Sequence, residues 1–287
     1  MENSNSLNFE LINKMKNIRK RIFLTAYPLK TAHLASAFSI VEIMYILYKK
    51  IMKINRNNHN WEDRDRFILS KGHASLAQYI MLNELGLLTE DRLKTFCVPG
   101  DSIGGEVSRF DCQGVETATG SLGHGLGFAV GQAIALKMNN SRAKVYVIVG
   151  NGEINEGVIW ESIMSAYKFK LDNLVVILDD NKIQKMGLTS ELMRINSWHE
   201  KWASFGWDVD EIKDGHDLVE IEEKLTKENP KDTPRIIIAN TVKGKGVSIV
   251  ENDANWHWRM PKKRELEVFM KELDITEEEL EECKKRI

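Results

Sequence analysis

The sequence contains few cysteines and no long apolar run. Cys97, Cys112 and Cys283 are the three cysteines among 287 residues, and no two of them form a C-x-x-C pair. An odd number of cysteines without a metal-binding or redox spacing suits a reducing cytosol, so we expect a cytoplasmic protein. No apolar stretch approaches the roughly 18 residues that a membrane-spanning helix needs. The polar N-terminus does not resemble a signal peptide.

An excess of charge of one sign is also lacking. Lysine and arginine number 40 and aspartate and glutamate 42, which gives a formal net charge of −2. The absence of a basic excess argues against a nucleic-acid partner. Hydrophobic residues make up 43% and charged residues 29% of the chain, which favours a packed core over disorder. We therefore expect a globular protein that binds neither nucleic acid nor membranes.

Apolar runs typical of strands alternate with helical patterns along the chain. The strand-like runs lie at 66–69, 144–149, 174–178, 207–212 and 235–240, and the helical patterns at 36–54, 76–85, 120–137, 156–168, 198–205 and 216–228, with a further amphipathic helix near the N-terminus and a long loop at 97–120. Such alternation predicts an α/β fold, a doubly wound and mostly parallel sheet with helices on both faces.

The sequence shows no internal repeat and no low-complexity linker. We therefore predict a single domain over residues 1–287, with a core at about 8–260 and a C-terminal helical extension at 261–287. Thr276 and Glu279 have the spacing of a capping box and predict the start of a final charged helix.

Two polar turns follow neighbouring strand-like runs. Gly150-Asn151-Gly152-Glu153 comes directly after the run at 144–149, and Asn181 follows the run at 174–178, with 28 residues between Gly152 and Asn181. Adjacent parallel strands would bring both turns to the carboxyl edge of the sheet, where open α/β sheets bind ligands. Glycines let the backbone approach a diphosphate, and oxygen-bearing side chains suit Mg²⁺. The spacing therefore predicts a diphosphate site with a metal ion.

Each of these motifs also has an ordinary structural reading. The Gly150–Glu153 turn lacks the G-x-G-x-x-G order of a dinucleotide fingerprint and would alone be a plain strand-to-helix connection. His73 in Ser70-Lys71-Gly72-His73 suits a helix cap as well as a phosphate donor. His33 and Glu106 would by default be structural and solvated, respectively. We interpret His124 as structural and His216 as a helix cap.

Taken together, the motifs resemble the N-terminal, diphosphate-binding half of transketolase. The resemblance runs from about His33 to His257, and its most telling segments are Asp65 to Ser75, Gly114 to Gly125, Gly150 to Gly157 and Asp180 to Gln184. It implies the thiamine-diphosphate-binding fold. Because a full transketolase is more than twice this length, it also implies a split enzyme. A separate C-terminal subunit would supply the pyrimidine-binding domain and the activating glutamate, in an expected heterotetramer.

The resemblance further implies a role for each matching residue in the transfer of a two-carbon ketol unit between sugars. The implied catalytic residues are His33, His73, His257 and Glu106. The implied ligands of thiamine diphosphate are His73, Gly120, Ser121, Leu122, Gly150, Gly152, Glu153, Asn181 and His257, and those of Mg²⁺ or another divalent cation are Asn151, Asn181 and the carbonyl of Ile183.

Two departures from the family pattern affect these expectations. Asn151 replaces the usual aspartate, so all three metal ligands are neutral, and we expect weaker metal and cofactor binding unless Glu153 or Asp180 compensates. Glu106 replaces the usual histidine that meets the hydroxyls of the donor, and a carboxylate would repel a nearby anionic group. We therefore expect an altered or specialised sugar. The alternatives are a related enzyme with a 2-oxo acid donor and a degenerate, non-catalytic subunit.

Overall fold

Five parallel β-strands form one sheet at the centre of the protein. The computed structural model describes residues 2–30, 32–100, 102–193 and 197–285. The strands are β1 Arg66–Leu69, β2 Val145–Gly150, β3 Leu174–Asp180, β4 Asp208–Ile212 and β5 Arg235–Asn240. Their order in the sheet is β1-β2-β3-β5-β4. The carboxyl ends of β1, β2, β3 and β5 therefore lie side by side.

Helices cover both faces of this sheet. The described residues form α1 Glu2–Ala26, α2 Leu34–Phe38, α3 Val41–Ile46, α4 Ser75–Glu84, α5 Glu90–Leu93, α6 His124–Met138, α7 Gly157–Lys168, α8 Thr189–Leu192, α9 Trp198–Ser204, α10 Leu218–Thr226, α11 Lys263–Glu272 and α12 Glu277–Lys284. Side chains from α1–α4 and α10–α12 pack on one face, and those from α6, α7 and α9 pack on the other. The predicted doubly wound α/β fold is confirmed.

The sheet has a separate hydrophobic core on each of its two faces. Successive side chains of a strand point to opposite faces. Ile148 and Ile177 accordingly belong to the core beneath α1–α4, whereas Val147 and Val176 belong to the core beneath α6 and α7. Continuous apolar runs rather than alternating ones are typical of parallel strands that are buried on both faces.

The helix predicted over 36–54 is interrupted, which corrects the sequence prediction. α2 ends at Phe38, α3 begins at Val41, and Leu47–Ile51 forms a π-helical turn. At the interruption, the Ser39 hydroxyl lies 3.1 Å from the Ser36 carbonyl and 2.9 Å from a carboxylate oxygen of Asp179. Serine hydroxyls compete with the helical backbone in this way. The apolar periodicity did not reveal the break because it continues across it.

His216 is not a helix cap, which is a second correction. Asp217 caps α10 instead, since its carboxylate accepts the Val219 amide at 2.8 Å. The His216 ring is buried, with Nδ1 2.9 Å from a carboxylate oxygen of Glu42 and Nε2 accepting the Val242 amide at 2.9 Å. A buried histidine therefore ties the segment after β5 to α3.

The C-terminal helices pack against the N-terminal helix. Phe269 of α11 stacks on Phe23 of α1 with ring centroids 4.8 Å apart, and Leu280 and Cys283 of α12 are buried in the same core. The capping box at Thr276 is present. This packing places the last two helices in the same core as α1. Among the described residues, no helix has both the length and the apolar character needed to cross a membrane.

Two glycines of α6 provide a test of its close packing. A Cβ on Gly125 would lie 2.5 Å from Ser70 Oγ, whereas a Cβ on Gly131 would meet nothing within 4 Å. We expect Gly125→Ala to lower the free energy of unfolding by about 1–3 kcal/mol because the strand end must move. The matched Gly131→Ala should raise it by roughly 0.5–1 kcal/mol through helix propensity. Denaturant unfolding of the isolated chain measures both changes, and equal stabilities would contradict the close packing.

Candidate active site

A cavity of about 300 Å³ lies at the carboxyl edge of β1, β2, β3 and β5. Of the residues predicted for the site, it is lined by His33, His73, Glu106, Leu122, Gly150, Asn151, Gly152, Glu153, Asn181, Ile183 and His257. Gly120 and Ser121 are outside this lining, although a Cβ on Gly120 would lie 3.7 Å from Glu106 Cγ. The exposed Ser121 hydroxyl lies 3.1 Å from Nδ1 of His124, at the start of α6. The fold thus brings together residues that are far apart in sequence.

Three histidines cluster in this cavity. The ring centroid of His33 is 5.0 Å from that of His73 and 5.2 Å from that of His257, and the last two are 5.7 Å apart. Burial together with nearby lysine charges lowers the pKa of His33 to about 4 and that of His257 to about 3. The same causes lower the pKa of His73 well below its ordinary value. At neutral pH the three rings are uncharged, and each has one hydrogen-bond donor and one acceptor.

A buried ion pair lies beneath the cavity. Lys71, which follows β1, contacts the carboxylate of Asp179 in β3. Ser39, Thr241 and the Asn181 amide also donate to this carboxylate. Burial alone would raise the pKa of Asp179, but the Lys71 charge and these hydrogen bonds outweigh burial and hold the pKa below its ordinary value. The pair therefore fixes the orientation of Asn181 from below.

The three predicted metal ligands lie together in the cavity and are all neutral. The Asn151 amide nitrogen is 3.4 Å from Asn181 Oδ1 and 3.0 Å from the Thr189 hydroxyl. Asn181 Oδ1 also accepts the Ile183 amide at 3.1 Å. Asn151 and Asn181 are buried. Their oxygens are hard ligands of the kind that Mg²⁺ takes, but they bring no charge to balance it.

Neither nearby carboxylate compensates for this missing charge. The buried Glu153 carboxylate accepts the amides of Gly123 at 2.7 Å and Gly150 at 3.0 Å, and burial raises its pKa. Asp180 contacts Lys182 instead of the cavity. In the part of the chain that the structure describes, no group of three His, Cys, Asp or Glu side chains could hold a metal ion. The donor set thus suits a weakly held cation that arrives with a diphosphate.

Lys243 supplies positive charge at the same place. Its ammonium lies 3.2 Å from the Ile183 carbonyl, 3.4 Å from that of Gln184 and 3.2 Å from Nδ1 of His257. Burial and the Lys71 charge lower the pKa of Lys243 to about 8, so it is mostly charged at neutral pH. Lys71 is paired with Asp179, whereas Lys243 has no carboxylate partner among the described residues, so its ammonium favours an anionic ligand. The cavity, with its glycine turn, therefore fits a diphosphate.

Glu106 forms one wall of the cavity. It packs so closely on Gly72 that a Cβ there would lie 2.8 Å from Glu106 Oε2. Partial burial raises the pKa of Glu106 to about 7, so at neutral pH its carboxyl is both a donor and an acceptor. A side chamber of about 230 Å³ shares His33, His73 and Glu106 with the main cavity. Glu106 therefore lies at the junction of two spaces.

Four charged residues of the site were not singled out from the sequence. Lys71, Asp179 and Lys243 line the cavity, as does Lys185, whose charge helps to lower the pKa values of His33 and His257. A signal for the first three was available, because each lies at the carboxyl end of a predicted strand or within three residues of it. Lys185 lies on the loop after β3 and gave no such signal.

Comparison with known proteins agrees with this geometry. Residues 16–281 match the family model described as transketolase, thiamine diphosphate binding domain. The apulose-4-phosphate transketolase of Actinobacillus succinogenes has one subunit that is 38% identical over 92% of this chain and 96% of its own length. The 6-deoxy-6-sulfo-D-fructose transketolase subunit SqwG of a Clostridium species is 37% identical over 84% of this chain and 87% of its own length.

A solved structure gives the same result for the fold. Transketolase from Leishmania mexicana superposes with a TM-score of 0.79 and 27% identity over 96% of this chain. This chain spans only 46% of that transketolase, which is therefore more than twice as long. The sequence match, the shared fold and the cavity at the sheet edge agree, and the chain belongs to the transketolase family through its thiamine-diphosphate-binding domain.

Proposed function

We propose that this chain is the N-terminal subunit of a two-subunit, thiamine-diphosphate-dependent transketolase. The observation that carries the proposal is the cavity that joins three neutral histidines to Lys71, Lys243 and the asparagine pair. Relatives of matching length are named as transketolase subunits, which supports a separate partner chain. A cytoplasmic location and a heterotetramer with a C-terminal-type subunit complete the proposal.

The proposed roles follow from chemistry and position. The Gly150–Gly152 turn, Lys243 and His73 would bind the diphosphate, while Asn151, Asn181 and the Ile183 carbonyl would hold a divalent cation. When bound, thiamine diphosphate supplies the electron sink that allows a ketose carbon–carbon bond to break. His33 and His257, uncharged at neutral pH, can orient sugar hydroxyls and exchange protons with them. Glu153 would act indirectly, because it holds the glycine turn in position.

The sugar that we propose is a specialised one that carries an anionic group. Two relatives are named for a sugar phosphate and a sulfonated sugar, respectively. Lys185 lines the cavity and, among the described residues, has no side chain partner. Its ammonium would attract an anionic substrate. Glu106 opposes such a group only when it is ionised.

An exposed face of α6 supports the proposed partner. His124, Phe128, Gly131, Ala135 and Met138 recur at helical spacing on the exposed side of this helix, and none of them is an aspartate, glutamate, lysine or arginine. Phe128 is 52% exposed and Met138 is 77% exposed. The helix begins at His124, two residues after Leu122, which lines the cavity. A partner on this face would therefore also reach the cofactor.

Activity provides the direct test of the proposal. We expect ketol transfer from a ketose to an aldose when this chain is mixed with a C-terminal-type subunit, and no transfer by either chain alone. His33→Ala should lower kcat/KM by about 10²-fold through lost proton transfer. The exposed His199→Ala is the matched control and should retain activity. NMR of the sugar products measures both.

The other outcomes of this assay identify the alternatives. Transfer from a 2-oxo acid but not from a ketose would favour the related enzyme with a different donor. A failure of the cofactor to bind in the presence of the partner would favour a non-catalytic subunit. The departures from the family pattern at Asn151 and Glu106 support that alternative.

Glu106 should give the reaction a characteristic pH dependence. Its pKa is raised to about 7, so the carboxyl is neutral below that pH and ionised above it. For an anionic sugar we expect kcat/KM to fall as the pH rises through about 7, because the ionised carboxylate repels the substrate. Glu106→Gln should remove this fall. Steady-state measurement of kcat/KM across the pH range tests this prediction. The same pH dependence in Glu106→Gln as in the wild type would refute it.

The exposed face of α6 can be tested by assembly. Phe128→Glu should weaken binding of the partner subunit by about 2 kcal/mol or more, since buried aromatic anchors dominate interfaces. Val219→Glu is the control, because Val219 is 75% exposed and lies on α10, across the sheet from α6. Calorimetric titration of the two subunits measures the difference. Equal losses for the two variants would place the interface elsewhere.

A further inference from the structure

The space among the predicted metal ligands is already spanned by hydrogen bonds. The Asn151 amide nitrogen donates one hydrogen bond to the Thr189 hydroxyl oxygen at 3.0 Å and a longer one to Asn181 Oδ1 at 3.4 Å. An aspartate at position 151 would instead present two acceptors and a negative charge. Asn151 therefore turns a donor towards this place, where a metal site needs an oxygen ligand, and a diphosphate oxygen could replace the long 3.4 Å contact with Asn181.

The third predicted ligand is occupied by a cation of the protein itself. The Lys243 ammonium lies 3.2 Å from the Ile183 carbonyl oxygen. Lys243 is buried, at 2% exposure, and is anchored by the Gln184 carbonyl and by His257. A divalent cation on the Ile183 carbonyl would have to share that oxygen with the Lys243 ammonium. Repulsion between the two positive charges would weaken its binding.

The charges around the cavity also favour direct binding of a diphosphate by the protein. Asp179 is neutralised by Lys71, and the Glu153 carboxylate is satisfied by backbone amides and Ser70. Lys243 has no carboxylate partner among the residues that the structure describes. With asparagine at position 151, the protein therefore presents the Lys243 ammonium and an amide donor, with no additional carboxylate, to an incoming diphosphate.

We propose that this chain binds the diphosphate of its cofactor directly through the Asn151 amide and the Lys243 ammonium, so that binding depends only weakly on a divalent cation. The inference rests on the proposed function, since it concerns the same cofactor site. Charge-assisted hydrogen bonds from nitrogen donors to phosphate are strong enough for this role. The metal then adds affinity without being required.

The test is calorimetric binding of thiamine diphosphate to the full chain, with and without the partner subunit, in excess Mg²⁺ and in EDTA. We expect the dissociation constants in the two conditions to differ by less than about tenfold, or about 1.4 kcal/mol. Binding that occurs only with Mg²⁺ would overturn the inference and leave the proposed function intact. Failure to bind in both conditions would overturn both.

Substitutions at position 151 separate the amide from a merely structural role. Asn151→Asp should bind the cofactor more tightly than the wild type in Mg²⁺ and more weakly in EDTA, because an unpaired carboxylate repels the diphosphate. Asn155→Asp is the matched control: it adds the same charge to the same turn, at a side chain that contacts Gln184 instead of the predicted ligands. It should keep the weak metal dependence. Equal metal dependence in Asn151→Asp and the wild type would also overturn the inference.

Discussion

The site depends on the buried ion pair between Lys71 and Asp179. Lys71 follows β1, Asp179 belongs to β3, and Ser39 and Thr241 connect the pair to the α2–α3 interruption and to the segment after β5. Loss of one partner of such a pair typically costs about 3–5 kcal/mol because the other charge remains buried and unpaired. The pair thus joins four separate segments beneath the cavity.

Burial has opposite consequences for the two kinds of ionisable group above this pair. It disfavours charge, so the three histidines remain neutral while Glu106 takes up a proton close to neutral pH. The positive charges of the nearby lysines lower the pKa values of the histidines further. The same charges would attract an anionic ligand such as a diphosphate. Glu106 can therefore gain or lose a proton close to neutral pH, whereas each neutral ring offers one hydrogen-bond donor and one acceptor.

The departure at Asn151 is understandable once its neighbours are known. An asparagine in a set of ligands weakens a metal site when it is considered alone. In the same cavity, the Lys243 ammonium lies on the Ile183 carbonyl, so the protein already has its own cation at one of the three predicted metal ligands. Two relatives that match most of this chain are named for different specialised sugars, as expected when one fold serves different substrates.

The sequence by itself determined the fold class, the strands and many of the residues that line the cavity. Continuous apolar runs ending in Gly150 or Asp180 define buried parallel strands, and the order of such strands brings their ends together. Tertiary structure alone decided which charges meet. Ser39 interrupts a helix to reach Asp179, His216 binds Glu42, and Lys243 reaches the Ile183 carbonyl. Those contacts join residues distant in sequence, and no local periodicity encodes a pairing that depends on how whole elements pack.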